Sequence, residues 1–255
     1  MRTLRRVAVG WRFELVNLMR SALFIVTSVF QPVIFASIAF FLDRAGGHSA
    51  LLYTALGAGL MGTWSSTLFG SGMAIQSQRF QGTLELLILA PHPYLTVLSS
   101  LTLATASLGV YSLGATLLWG RLFFGVPLEL AHPFLFVVAL VATVAALGLF
   151  GLVLGSTFVL WRGANALANF LEYPVWLASG LLVPVDLLPR WVEPISWLLA
   201  PTWGADAIRH AALGGSPLAP IGMCALLGIA YLAFAWLMLG HIERLARERA
   251  SLALA

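Results

Sequence analysis

Long uncharged runs set the pattern of this chain. Five of them contain no Asp, Glu, Lys or Arg, and a sixth is interrupted only by Glu172. A helix that crosses a bilayer needs about 20 predominantly apolar residues, so each run is long enough to cross once. The pattern therefore predicts six spans, at residues 21–42, 50–75, 94–119, 133–160, 164–183 and 219–240.

The predicted spans are helices, because hydrocarbon offers the backbone no hydrogen-bond partner and only helices or closed barrels satisfy it internally. Barrel strands would be shorter and would alternate apolar with polar residues, whereas these runs are continuously apolar. The predicted fold class is therefore all-α integral membrane, with residues 1–255 forming a single transmembrane domain. Glycine and serine recur along the second span, which indicates close packing of helices.

Three segments outside the spans have patterns of their own. Residues 1–20 alternate apolar and basic faces at helical spacing, which predicts an amphipathic helix in the headgroup plane; a simple topology signal is the alternative. Its apolar face consists of Leu4, Val7, Trp11, Leu15 and Leu18. Residues 184–218 are rich in proline and tryptophan and too polar to span, so we expect re-entrant helices at the outer face. Residues 241–255 form a charged tail.

The charge distribution predicts the orientation. Only 9% of the residues are charged, against about a quarter in soluble domains, which excludes an ordinary soluble domain. The 14 basic residues are all arginine, and eight of them lie before the first span or after the last. Because positive charge marks the cytoplasmic side, both termini are predicted to lie on the cytoplasmic side of a bacterial inner membrane. No cleavable signal peptide is expected. The arginines flank spans instead of forming a patch, so no nucleic-acid partner is expected.

The segment 76–91, cytoplasmic by this argument, is the most informative part of the sequence. Gly82 is expected to interrupt one helical piece, Thr83 to begin another, and Pro91 to end it. Its leucines are too many for a free loop. We therefore expect a short helix at the inner surface, buried against the membrane or against a partner.

Polar residues inside the apolar runs are the candidates for chemistry. Asn165, Asn169 and Glu172 share one helical face, which fits either hydrogen bonding between helices or a stripe lining a central cavity or subunit seam. Glu172 is also the lone ionisable residue within a span, so a secondary transporter or channel working without an ATPase is the alternative function. The histidines fall at span ends or in loops, which disfavours a protease or a metal enzyme. The single cysteine, Cys224, excludes an internal disulfide.

Four short motifs resemble the ABC-2 type permease family. They are Gln81-Gly-Thr-Leu-Glu85-Leu-Leu with Ala90-Pro91, Leu188-Pro189-Arg-Trp191, Pro201-Thr-Trp203 and Ala207-Ile-Arg209. Their order and the six-span plan are similar to those of drug-resistance and nodulation-factor exporters. The resemblance implies a type V (ABCG-like) exporter fold and a dimer with a second copy or a paralogue.

The resemblance also implies a division of labour. Two separate ABC ATPase subunits would bind ATP and Mg²⁺, since this chain has no phosphate-binding loop and no lysine to build one; no cofactor or metal is expected in the chain itself. The coupling element would consist of Gln78, Arg79, Phe80, Gly82, Thr83, Leu84, Glu85 and Leu87. Glu85 is the candidate for transmitting the motion. The implied cargo moves outward through the lipid bilayer, and an apolar path suits an amphipathic drug, a lipid or a glycolipid equally.

Overall fold

A computed structural model describes residues 2–20, 30–38, 40–41, 51–89, 93–160, 164–181 and 184–253. Every regular element in these ranges is helical, in agreement with the predicted all-α class. In chain order the helices are α1 (Arg2–Arg20), α2 (30–38), α3 (Leu51–Phe80), α4 (Leu84–Leu89), α5 (Tyr94–Phe124), α6 (Pro133–Leu160), α7 (Ala164–Ala178), α8 (Glu193–Trp197), α9 (Ala200–Leu213) and α10 (Leu218–Ala253), with a 3₁₀ turn at Val185–Leu187.

Three helices are long and apolar enough to cross a membrane. Among the described residues these are Tyr94–Phe124, Pro133–Val159 and Leu218–Arg244, which correspond to the predicted spans 94–119, 133–160 and 219–240. The chain is thus a multi-pass membrane protein. Much of the predicted span 21–42 lies outside the described residues, and the count of six spans stays a prediction.

The helices do not end where the apolar runs end. α3 continues past the predicted boundary at residue 75 to Phe80, α10 runs without a break through the predicted tail to Ala253, and α7 stops at Ala178, short of residue 183. In the described residues the glycines with positive φ follow the ends of α3, α5, α7 and α9: Gly82, Gly125, Gly180 and Gly214. A helix satisfies its own backbone in water as in lipid, so a left-handed glycine sets its end more firmly than hydropathy does.

α3 is the central helix of the bundle. It packs against α5, α6, α7 and α9, and its Trp64 is fully buried. The Trp64 ring stacks on Phe150 of α6 with a centroid distance of 5.4 Å, and Phe150 stacks on Tyr231 of α10 at 5.0 Å. An aromatic ladder therefore joins three helices through the middle of the protein.

The approach of α5 to α3 leaves room only for glycine at residue 109. A Cβ at Gly109 would lie 2.4 Å from Thr63 Cγ2 and 2.7 Å from Thr63 Cα. The Thr63 hydroxyl also donates a hydrogen bond of 2.9 Å to the Gly109 carbonyl. Any side chain at this position must therefore push the two helices apart and weaken a buried hydrogen bond.

We expect Gly109→Val to lower the free energy of unfolding by about 1–3 kcal/mol, the usual range for overpacking a well-filled interior. The measurement is the midpoint of thermal unfolding of the detergent-purified protein. Gly114→Val on the same helix is the matched control, because a Cβ at Gly114 meets nothing within 4 Å. Equal losses in the two variants would contradict a packing role for Gly109.

Candidate functional site

The charge pattern predicts that the C-terminal end of α3 lies on the cytoplasmic side. At this end a short turn containing a glycine joins α3 to α4. Gly82 has a φ of 67°, its amide donates to the Arg79 carbonyl at 3.1 Å, and the Thr83 amide donates to the Gln78 carbonyl at 2.9 Å. These two bonds satisfy carbonyls that the end of a helix leaves open. The Thr83 carbonyl then accepts from the Leu87 amide at 3.0 Å, so α4 begins within one residue of the turn.

Gln78 is held by the start of α5. The Tyr94 hydroxyl donates to Gln78 Oε1 at 2.9 Å, and the Tyr94 amide donates to Glu243 Oε1 of α10 at 2.7 Å. A carboxylate at the first turn of a helix satisfies an open amide and favours the positive end of the helix dipole. Tyr94 therefore ties the last turn of α3 to both α5 and α10.

Arg79 reaches the end of α6. Its Nη2 atom donates to the carbonyls of Val159 at 2.8 Å and Phe158 at 3.3 Å. These carbonyls belong to the last turn of α6, where backbone acceptors are open and the dipole favours a cation. Through Gln78 and Arg79, the last turn of α3 is fastened to three other helices.

The residues around the α3–α4 turn fall into a buried group and an exposed group. Leu84 and Ile88 are buried, each 7% exposed, where α4 packs on α3 and α10. By contrast, Phe80 is 83% exposed and Leu86 is 70% exposed. Four residues of the predicted set support the turn from inside: Gln78, Arg79, Thr83 and Leu84. Leu87 is half-buried, and Phe80 and Gly82 face outward. The side chain of Glu85 lies outside the described part of the chain.

Four side chains of this site were not in the predicted set: Leu86, Ile88, Tyr94 and Glu243. Leu86 lies in a run of leucines whose exposed member cannot be identified without the helix boundaries. The Tyr94–Glu243 bond joins residues 149 positions apart, and no local pattern signals such a pair.

The polar stripe of the fifth predicted span is only partly brought together. The Ser65 hydroxyl of α3 donates to Glu172 Oε1 of α7 at 2.7 Å, and Glu172 is 6% exposed. Asn169 is exposed, and the side chain of Asn165 is not among those described. The sequence allowed either a hydrogen bond between helices or a stripe lining a cavity or seam. At Glu172 the structure has the hydrogen bond between helices.

α1 lies against α5 through part of its apolar face. The Trp11 indole donates to the Ser107 hydroxyl at 3.0 Å, while Leu4 at the start of the helix is 77% exposed. Burial on the same side raises the pKa of the Glu14 carboxyl, and a hydrogen bond with Asn17 opposes that rise. α5 thus covers part of the apolar face of α1 that was predicted to contact the membrane. The sequence pattern does not distinguish the two environments, because one apolar stripe suits lipid or a neighbouring helix equally. The interfacial placement stays a prediction.

The outer region predicted at 184–218 contains a packed part and an exposed part. α9 packs on α6 and α10, with the Thr143 hydroxyl donating to the Gly204 carbonyl at 3.4 Å and the Ala200 amide donating to Tyr231 Oη at 3.1 Å. In the exposed part, large apolar side chains face outward from the 3₁₀ turn and α8; they are Leu187, Trp191, Ile195, Trp197 and Leu198.

Comparison with known proteins identifies the family. A family model described as ABC-2 type transporter matches residues 5–213, which extends from α1 to the end of α9. The comparison with curated proteins gave no match.

Proposed function

Since the chain belongs to the ABC-2 type transporter family, it is a membrane component of an ABC transporter, and we propose that it is the permease subunit of an exporter. In this proposal a separate ATPase subunit binds ATP and Mg²⁺ and drives the movement. The permease moves an amphipathic drug, a lipid or a glycolipid outward across a bacterial inner membrane. It works as a dimer with a second copy or a paralogue, with both termini in the cytoplasm.

The observation that carries this proposal is the shape of the α3–α4 turn. Its inner side is fastened by the Gln78 and Arg79 contacts, while Phe80 and Leu86 present large apolar side chains outward. An exposed apolar patch is typical of a surface that a protein partner or the membrane covers. The expected occupant is the ATPase, because the chain has no lysine for a phosphate-binding loop of its own.

The proposed mechanism transmits force along α3. ATP binding closes the partner ATPases, which displaces the α3–α4 turn and α1. α3 is one helix of 30 residues, about 45 Å long, so a displacement at Phe80 reaches its outer end without passing through a loop. A rigid-body shift of this kind opens a path between the two permeases, with residues 184–218 as the outer gate.

A secondary transporter is the alternative, and the environment of Glu172 weakens it. Such proteins place ionisable residues where they bind an ion or a proton. Glu172 instead accepts a hydrogen bond from Ser65 between two packed helices. A structural contact thus accounts for the one charged group of the fifth span.

Co-expression with its ATPase tests the proposal. We expect the permease to co-purify with an ABC ATPase, and proteoliposomes holding both to transport a fluorescent amphipathic dye only with ATP and Mg²⁺. Glu85→Ala should lower transport-coupled ATP hydrolysis while membrane insertion stays normal. Dye movement by the permease alone, driven by a proton or sodium gradient, would contradict the proposal and support the alternative.

A further inference from the structure

Arg209 of α9 joins three parts of the protein at the end of α3 opposite the coupling turn. The residue is 5% exposed. Its Nη1 atom donates to the Gly180 carbonyl at 2.8 Å, and its Nη2 atom donates to the Leu181 carbonyl at 3.1 Å. The guanidinium also lies 3.8 Å from the ring centroid of Tyr53 on α3. One side chain thus contacts α3 and the turn that follows α7.

The space for this guanidinium is provided by α3. A Cβ added to Gly57 would lie 2.5 Å from the Leu181 carbonyl oxygen and 2.8 Å from Arg209 Nη2. A larger residue there would displace both the donor and the acceptor of one hydrogen bond. Because Gly57 has no side chain, α3, α9 and the turn that follows α7 can contact one another at a single point.

The contact is strong in its parts but incompletely satisfied. A cation beside carbonyls at a helix end and over an aromatic face is favourable, and Asp206, one turn earlier on α9, adds electrostatic attraction. Among the residues that the structure describes, however, the buried Arg209 Nε has no hydrogen-bond partner, and an unpaired buried donor carries a free-energy penalty.

The Arg209 side and the Tyr53 side of the contact belong to different helices, α9 and α3. α9 is fixed on α6 and α10 through Gly204 and Ala200. Tyr53 and Gly57 belong to the same continuous helix as Gln78 and Arg79 of the coupling turn. Movement of the first turns of α3 relative to α9 therefore changes the distance between Tyr53 and Arg209.

We propose that Arg209 is the positioning residue at which movement of α3 is passed to the outer region: it holds the turn after α7 against α9 at rest and releases it when α3 moves. This inference rests on the proposed function. It places the released segment at the turn of Gly180 and Leu181 that follows α7.

Labelling of a buried position beside the contact tests the release without knowledge of the substrate. Ser179 is 1% exposed, so Ser179→Cys, in a Cys224→Ala background, should react slowly with maleimide in the purified permease–ATPase complex. ATP should raise the labelling rate. Arg209→Lys keeps the charge but cannot donate to both carbonyls while covering the ring, so labelling without nucleotide should rise about tenfold and respond little to ATP.

Controls separate this role from a merely structural one. Arg190→Lys, at an exposed arginine of the same region, and Tyr53→Phe, which keeps the ring, should both behave as the unchanged protein. If Arg209→Lys fails to fold, Tyr53→Leu provides a milder loss of the same contact and should show the same shift in labelling.

The outcomes distinguish the two proposals. An ATP response that persists unchanged in Arg209→Lys, whether or not its thermal stability falls, overturns the role of Arg209 and leaves the exporter function standing. An unchanged protein that binds no ATPase, or whose Ser179→Cys labelling ignores ATP although Arg209→Lys still accelerates it, contradicts the proposed function instead.

Discussion

Replacing Phe80 and Leu86 together by glutamate is expected to abolish binding of the ATPase while the permease stays folded. Both side chains are largely exposed, so charges there disturb no internal packing. In the complex with the ATPase, Phe80 and Leu86 would be apolar anchors of the interface. Removal of such an anchor costs about 2–4 kcal/mol of binding free energy. Loss of the pair should weaken binding by about 4 kcal/mol, roughly a thousandfold.

The measurement is a titration of the purified ATPase against the permease in detergent, followed by ATP hydrolysis in the mixture. The matched control is Phe80→Leu with Leu86→Met, which keeps both positions apolar and of similar size and should retain binding. Unaltered affinity in the glutamate variant would place the ATPase elsewhere on the cytoplasmic surface and remove the main support for the proposed coupling site.

Removal of the Ser65 hydroxyl should destabilise the protein although it deletes a single atom. Ser65 and Glu172 are both buried, and Ser65→Ala leaves the Glu172 carboxyl without this donor. The cost of an unsatisfied buried acceptor is about 1–3 kcal/mol, measurable as a lower midpoint of thermal unfolding. Ser66→Ala, at the half-buried neighbouring serine, is the control and should change the midpoint little.

A double-mutant cycle identifies the pair as the cause. Combining Ser65→Ala with Glu172→Leu removes both partners, so the combined loss should be smaller than the sum of the single losses by about 0.5–3 kcal/mol. Glu172→Gln still accepts from Ser65 and should retain ATP-driven transport. A secondary transporter that uses Glu172 as its ion site would lose all activity in that variant, and strict additivity would show that the two groups do not interact.

Local features of the sequence predicted the position of the turn between α3 and α4. Gly82 lies where a left-handed residue is needed, and Thr83 follows it directly, so the break between α3 and α4 depends on neighbours only a few residues away. The all-helical class followed from a requirement that acts on every residue in hydrocarbon. Such constraints are visible in one sequence because they involve single positions or short periods.

Contacts between distant residues could not be predicted in the same way. The apolar stripe of α1 was recognised, but whether lipid or α5 covers it depends on where α5 lies. Arg209 was noticed as part of a motif, yet its contact with Tyr53 joins residues that nothing in the chain pairs in advance. Likewise, Glu172 was found as a buried acid, whereas Ser65 was one of several serines in its span.

The contact between Tyr94 and Glu243 has a consequence for biogenesis. A polypeptide is synthesised from its N-terminus, so α3, α4 and α5 are made well before the ribosome has translated residue 243. Until then the first amide of α5 lacks its carboxylate, and the support of Gln78 by Tyr94 is incomplete. Under the proposed function, the surface at Phe80 and Leu86 is therefore complete only after α10 has been synthesised, and we expect the ATPase to bind after that point.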